Sequence, residues 1–267
     1  MKLDDDKIYS MPLILGPLFD QADRPGNVYS NVENLILQFK TDRDAVLALV
    51  PDCFQIGAEP IVTVTFGDYD GVDFMSGGGY KTATFGVSAG FEGDEDQIGG
   101  QYILVMCEDK TLPILGGREQ LGVPKVFADI SSARLQKDNS FRSHASLWGH
   151  LLFGLEVAPL KKQNAIVRAA ANREFNKYPW LCYKYIPHFD GPPDASYPTV
   201  VWNSVKVEEL WMGGDGMVVF GDAGEDDISY ASRMIKALKS MPVLEVTQTV
   251  RMRGSAILQN YKCRQLA

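Results

Sequence analysis

The sequence predicts a mainly β protein of the α+β class, folded as one domain over residues 1–267. Short runs of β-branched and aromatic residues, separated by glycines, dominate the chain from Ile61 onward. The composition, 45% hydrophobic and 22% charged, is that of a globular chain able to bury a sizeable core. No repeat, linker or low-complexity segment divides the chain, so we expect a single domain.

The first elements are predicted from the positions of proline and glycine and from a helix-capping pattern. Residues 1–30 are interrupted by prolines and glycines, which predicts an extended arm. Residues 35–40 have the composition of a strand, and a helix is predicted over 41–50. Thr41 and Asp44 resemble a capping box at the start of that helix.

The rest of the chain is predicted to be strands with two further helices. The helices are expected at 162–175 and 226–239, and the glycine-rich stretches 77–79 and 90–100 are expected to be loops. The predicted strands are 61–66, 80–88, 101–107, a strand reaching Leu135, 144–148, 151–157, 182–187, 200–211, 217–220 and terminal strands within 243–258.

The charge balance excludes some classes of partner. A formal charge of −8 and a pI near 5.0 argue against a nucleic-acid binder, although they allow an anionic small substrate. The four cysteines show no C-x-x-C spacing, so no zinc site or disulfide framework is predicted. The N-terminus lacks an apolar signal region and no later run could span a membrane, so we expect a cytoplasmic protein without a membrane partner.

Common catalytic and cofactor motifs do not occur. His144, His150 and His188 have no metal-ligand spacing, and the acidic clusters contain no calcium-loop pattern, so no metal is predicted. A G-x-S-x-G elbow and the phosphate-binding glycine motifs are also missing from the sequence. We therefore expect no cofactor.

One stretch, 116–129, carries the candidate chemistry. Its central lysine, Lys125, follows Val123 and Pro124 and precedes Val126 and Phe127. A buried lysine is costly as an ammonium, and a neutral amine can attack a ketone to form a Schiff base. On these residues alone, an exposed lysine on a turn is the favoured interpretation, because most lysines are exposed.

The same stretch resembles the acetoacetate decarboxylase family. Gly117-Arg118-Glu119 leads to Pro124-Lys125 at the spacing that the family shows before its Schiff-base lysine. Further similar segments are 40–45, 185–191, 207–213 and 241–246, so the resemblance covers nearly the whole chain. It implies a closed, cone-shaped β-barrel with a few peripheral helices, a buried active site, a homo-oligomer, and Lys125 as the nucleophile toward a small keto-acid substrate.

The departures from the family pattern bear on the reaction. Decarboxylases carry a second lysine where this chain has Val126, an arginine where it has Val32, and a glutamate where it has Thr65. A second family glutamate falls near Tyr80. With the second lysine missing, desolvation by Val123, Pro124 and Phe127 remains as the expected means of activating Lys125.

The candidate site residues follow from this resemblance. Lys125, Tyr80 and Glu119 are predicted to be catalytic, with Tyr80 moving a proton and Glu119 or Gln120 holding a carboxylate or water. Arg118, Gln120, Val126 and Phe127 are predicted to contact the substrate. Arg118 and Glu119 could instead form an ion pair that braces the loop.

Three functions stay open. The first is a Schiff-base carbon–carbon lyase of the decarboxylase type, acting on a small keto acid. The second is a pyruvate or 2-oxo acid aldolase-dehydratase that uses the same lysine, as some relatives of the decarboxylases do. The third is a non-catalytic barrel that binds a small ligand.

Overall fold

The computed structural model describes residues 2–267, and β-strands are its main elements. In this part of the chain the strands are β1 (Lys7–Ile8), β2 (Phe19–Asp20), β3 (Asn27–Lys40), β4 (Phe54–Gln55), β5 (Ile61–Val72), β6 (Tyr80–Glu92), β7 (Gln97–Glu108), β8 (Lys125–Phe127), β9 (Asp129–Ile130), β10 (Arg134–Leu135), β11 (Phe141–Leu147), β12 (His150–Val157), β13 (Lys161–Lys162), β14 (Trp180–Ile186), β15 (Ala195–Val201), β16 (Asn203–Gly213), β17 (Gly216–Phe220), β18 (Glu245–Leu258) and β19 (Arg264–Gln265).

The helices are short. They are α1 (Arg43–Leu47), α2 (Thr111–Gly116), α3 (Ala165–Phe175), α4 (Glu225–Ile228) and α5 (Ala231–Lys239), with a π-helical turn at Gly117–Leu121 directly after α2. Between residues 2 and 267, no helix has the length and hydrophobicity needed to cross a bilayer.

Most strands belong to one large sheet. Its hydrogen-bonded order is β13-β16-β18-β3-β5-β6-β7-β14-β15-β19, with β4 added to β6 and β8 added to β7. A second sheet has the order β10-β11-β12-β17, with β9 on β11, and the arm strands β1 and β2 pair only with each other. The mainly β prediction is confirmed. The pairing of the described strands is an open path, so the closed cone stays a prediction.

The large sheet has a different environment on each face, because side chains alternate along every strand. One face packs against the second sheet in the main core, where the Phe153 ring lies edge-on to Phe85 at 4.9 Å between centroids. The opposite face carries Tyr29, Tyr80 and their apolar neighbours, and α3 packs beside them. The candidate site lies on this second face.

The first helix begins one residue later than the capping pattern predicts. Asp42, not Thr41, is the N-cap, and its side chain accepts a hydrogen bond from the backbone N–H of Ala45 at 2.9 Å. Thr41 is buried and its hydroxyl has no hydrogen-bond partner. The predicted capping box is therefore wrong, because either neighbour satisfies the sequence pattern and only the backbone direction selects one.

Several other boundaries also differ from the prediction, including the following two. The expected loop at 90–100 is a hairpin, in which only residues 93–96 lie between β6 and β7. Gly100 is needed inside the strand, because a Cβ there would lie 2.6 Å from the carbonyl oxygen of Pro179. The helix predicted over 226–239 is broken between α4 and α5, where Ser229 adopts φ = 53°.

Candidate active site

Lys125 begins the short strand β8, which pairs in parallel with β7 so that Lys125 lies beside Met106. The segment before it is the π-helical turn at Gly117–Leu121, a local geometry that often occurs at functional sites. Gly122 ends this turn at φ = 76°, and a Cβ at this position would lie 2.5 Å from the Cβ of Lys184. A glycine is therefore required for the chain to reach β8 by this route.

The amine of Lys125 is held inside the protein by two oxygens. The residue is 8% exposed, and its Nζ donates a hydrogen bond to the carbonyl oxygen of Pro113 at 3.0 Å. Nζ also lies 2.7 Å from Oε1 of Glu108, which is fully buried. Among residues 2–267, these two are the only charged residues that are buried.

Glu108 was missed by the sequence reasoning. Neither of its carboxylate oxygens has a directed hydrogen bond to a described residue, so Lys125 serves as its ion-pair partner. Burial raises the pKa of Glu108 above its ordinary value; Lys125 lowers it in part, and the neighbouring Asp109 raises it further. The signal was an acid directly after the predicted strand 101–107, which continues through Glu108 in the structure.

Three tyrosines surround the same interior region. The hydroxyl of Tyr80 donates to that of Tyr29 at 3.2 Å, and the ring of Tyr80 lies edge-on to that of Tyr69 at 5.4 Å. Burial, together with the negative charge of Glu108, raises the pKa of Tyr69 to about 12 and that of Tyr80 well above 10. These hydroxyls therefore stay protonated and can donate hydrogen bonds. Thr82, directly opposite Glu108, donates a hydrogen bond to the Tyr69 hydroxyl at 3.4 Å.

The positions where family residues are replaced carry apolar or neutral side chains, and they lie on the face of the large sheet that carries Tyr29 and Tyr80. Val32 is buried in the cluster that contains Tyr29 and Tyr80, so an apolar contact stands where the family has an arginine. Thr65 pairs with residue 84 of the next strand, and Thr82 lies directly opposite Glu108. The site therefore has one carboxylate, and it is on β7.

Val126 and Phe127 do not join Lys125 in this interior. Strand alternation turns Val126 to the other face, where it packs against the main core, and Phe127 is 44% exposed. The expectation that desolvation alone acts on Lys125 is also incomplete, because a buried carboxylate lies in contact with the amine.

The remaining predicted residues surround the loop and not the amine. Arg118 is exposed and donates from Nη1 to the carbonyl oxygen of Lys125 at 2.9 Å, so it braces the loop without an ion pair to Glu119 among the described residues. Glu119 accepts a hydrogen bond from the hydroxyl of Ser10 at 2.8 Å. Gln120 lines an outer cleft of about 590 Å³ that also contains Lys184.

The donor set suits covalent chemistry by an amine more than metal binding. Residues 2–267 contain no group of three or more histidine, cysteine or acidic side chains placed to hold a metal ion. Cys107 and Cys182 are buried, and burial raises the pKa of both thiols above the ordinary value, so they remain protonated. Lys125 is thus a buried amine with an acid at 2.7 Å.

Comparisons with known proteins give a family match and a set of relatives. A family model described as acetoacetate decarboxylase (ADC) matches residues 10–263. Acetoacetate decarboxylase 1 of Bradyrhizobium diazoefficiens is 27% identical over 231 residues, which are 84% of each chain.

Two solved structures show the same fold at low sequence identity. A structure from studies of acetoacetate decarboxylase matches with a TM-score of 0.77 at 22% identity, covering 99% of this chain and 98% of that one. The enduracididine biosynthesis enzyme MppR, solved in complex with pyruvate, matches with a TM-score of 0.70 at 18% identity and covers 98% of both chains.

Proposed function

Because the chain belongs to the acetoacetate decarboxylase family, we propose that it is a lyase in which Lys125 forms a Schiff base with a small keto acid. The observation that carries this proposal is the buried amine of Lys125, 2.7 Å from a buried carboxylate and 3.0 Å from a carbonyl oxygen. Because these two contacts hold the amine in place, Nζ of Lys125 is in a fixed position to attack a carbonyl carbon.

The chemistry begins with attack of the Lys125 amine on the substrate carbonyl. The ammonium must first give up a proton, and Oε1 of Glu108 is in reach to accept it. Glu108 then returns this proton to the leaving hydroxyl, and loss of water leaves a protonated imine. The imine can draw electrons from a neighbouring carbon–carbon bond as that bond breaks. Tyr80, whose pKa is raised by burial, donates a hydrogen bond and does not act as a base.

Decarboxylation and aldol chemistry both use this electron sink. In a β-keto acid the bond that breaks releases CO₂ and leaves an enamine. In the second reaction an enamine from a 2-oxo acid such as pyruvate joins an aldehyde, and dehydration can follow. The aldolase-dehydratase alternative is supported by Val32 and Thr65, which stand where decarboxylases have an arginine and a glutamate.

The related structure of MppR with pyruvate makes pyruvate a reasonable first substrate to test beside acetoacetate. The proposal extends to a single domain, a closed cone-shaped sheet, a homo-oligomer and a cytoplasmic location, all of which remain predictions from the sequence. The third function, a non-catalytic ligand-binding barrel, differs from both enzymes because it needs no covalent step.

The test is reduction with borohydride in the presence of pyruvate, acetoacetate or longer keto acids, followed by mass spectrometry of the peptides. We expect a reduced adduct on Lys125, no adduct in Lys125→Ala, and an unchanged adduct in the matched control Lys161→Ala, which alters an exposed lysine on β13. If no keto acid labels Lys125, both enzyme functions are wrong and ligand binding remains.

A second measurement separates the two enzyme functions. CO₂ release from acetoacetate supports the decarboxylase type, whereas consumption of pyruvate only when an aldehyde is added supports the aldolase type. Activity that survives in Lys125→Ala would show that another residue is the nucleophile.

A further inference from the structure

Glu108 is the one acid in the interior of the site, and its position suggests more than a structural ion pair. Its carboxylate is fully buried and accepts no directed hydrogen bond, so only the amine of Lys125, at 2.7 Å, balances its charge. A buried carboxylate without hydrogen bonds is easily protonated when another negative charge competes for its positively charged partner.

Charge counting shows when this happens. In the resting protein the ammonium and the carboxylate sum to zero, and the protonated imine keeps the positive charge of Lys125. A keto acid adds a carboxylate, so the interior then holds one uncompensated negative charge. The other buried residues between 2 and 267 are uncharged, and Val32 stands where the family has an arginine.

The groups that face Glu108 leave a single way to restore neutrality. They are Lys125 on β8, the hydroxyls of Tyr29, Tyr69 and Tyr80 on β3, β5 and β6, and Asp109 in the next position. The tyrosines already carry their protons, and Lys125 holds the imine. Glu108 is the buried group that can accept another proton.

We propose that Glu108 takes up one proton when a keto acid binds and delivers it to the product carbon. This inference rests on the proposed Schiff-base chemistry. In the first stage the ammonium of Lys125, the Glu108 carboxylate, the keto-acid anion and one proton give the protonated imine, neutral Glu108, the bound carboxylate and one water.

For a β-keto acid the later stages also balance. The bond to the carboxylate breaks, its electron pair neutralises the imine as an enamine, and CO₂ leaves. Neutral Glu108 then protonates the enamine carbon, which regenerates the protonated imine and the Glu108 carboxylate. Hydrolysis releases the ketone and restores the ammonium, so the proton taken up at binding becomes the new C–H bond.

This role accounts for the missing family acids. The family glutamate that corresponds to Thr65 is absent, and residues 80–84 contain no acid. Glu108 lies directly opposite Thr82 on the adjacent strand, on the face that carries Lys125. Glu108 therefore supplies a carboxylate from β7, in contact with the amine of Lys125.

The test compares pyruvate with pyruvamide, its uncharged amide of nearly the same shape. Calorimetric titration over a series of pH values gives a dissociation constant for each compound. For the wild-type protein, the dissociation constant of pyruvate is divided by that of pyruvamide at each pH. We expect this ratio to fall about tenfold for each unit by which the pH falls, because one extra proton binds with pyruvate alone. The ratio removes any proton that both compounds share through Lys125.

Glu108→Gln is the decisive variant. We expect it to bind both compounds with a ratio that does not change with pH, and Glu108→Asp to keep the dependence. Titrations in buffers of different ionisation enthalpy should show one more proton taken up with pyruvate than with pyruvamide in the wild type, and no difference in Glu108→Gln.

The possible results separate this inference from the proposed function. If no keto acid, pyruvate and acetoacetate included, can be trapped on Lys125 by borohydride, the Schiff-base function fails. If pyruvate and pyruvamide are both trapped and the wild-type ratio is independent of pH, the Schiff base stands and the role of Glu108 is overturned. A pH-dependent ratio that persists in Glu108→Gln also overturns it. Even if the variants do not fold, a wild-type ratio that is independent of pH overturns the role of Glu108.

Discussion

Gly117 lies against the side chain of Lys125, and replacing it with alanine should move the nucleophile. A Cβ at this position would lie 2.5 Å from Cε of Lys125, 2.6 Å from Cδ and 2.8 Å from Nζ. Carbon atoms in contact are normally about 3.5 Å or more apart, so the lysine side chain must shift by roughly 1 Å. The backbone needs no change, because Gly117 has the ordinary helical φ of −66°.

The adjacent glycine provides a matched control. Gly116 also has a helical φ, −58°, and a Cβ there would meet no atom within 4 Å. Both substitutions gain about the same helix propensity, on the order of 1 kcal/mol, so both variants should fold. Only Gly117→Ala should displace the amine from Glu108 and the carbonyl oxygen of Pro113.

The main expected effect is on the reaction, and weakening the buried Lys125–Glu108 pair should also make Gly117→Ala less stable than Gly116→Ala. A displacement of about 1 Å at a reacting group can cost on the order of 100-fold in rate, which corresponds to about 2.7 kcal/mol of activation free energy. We would measure the rate of borohydride-trapped adduct formation on Lys125 for both variants, with urea unfolding as the stability check. Equal rates in Gly117→Ala and Gly116→Ala would refute the argument from this contact.

Three further predictions concern stability, pH and proton donation. Phe153→Ala should lower the free energy of unfolding by about 3–5 kcal/mol, measured by urea titration, because the ring is fully buried between two others in the main core. Arg264 lowers the pKa of Asp96 to about 2 from 3.8, so this pair should stabilise the fold above about pH 4 and lose that contribution as the pH falls toward 2. The midpoint of thermal unfolding of Asp96→Asn should therefore fall less between pH 4 and pH 2 than that of the wild type. The same pH dependence in both proteins would contradict this. Tyr80→Phe should slow turnover by about 100-fold, because it removes a hydroxyl that donates a proton or hydrogen bond in the reaction. Tyr185→Phe, at a 56% exposed position, should not slow turnover. Equal turnover rates in these two variants would remove Tyr80 from the mechanism.

Local patterns in the sequence predicted the elements well, and long-range pairing limited the rest. The strand at 101–107 was expected from its apolar residues, yet the acid that ends it was not connected with the lysine. The two meet because β8 pairs in parallel with β7, which places Lys125 beside Met106 and near Glu108. Pairing between distant segments depends on the whole sheet, so no pattern within either segment contains it.

The family spacing points to Lys125 but does not predict how the neighbouring side chains are oriented. Lys125 is buried, as a Schiff-base lysine should be, while Arg118 and Glu119 hold the loop from outside. Residues 118–120 lie in a π-helical turn, where side chains point around the axis and only some can face the interior. The sequence shows which residues are near Lys125 in the chain, whereas the turn decides which atoms approach its amine.

Side-chain alternation along β8 places its first two residues in different environments. Lys125 faces the site and Val126 faces the main core, so the residue at 126 is selected by packing among apolar side chains. Restoring the second lysine of the decarboxylases at 126 would place an ammonium in that core and would not bring it to the amine of Lys125. An attempt to convert this chain toward acetoacetate chemistry would instead begin at Val32 and Thr65, on the face that the substrate would meet.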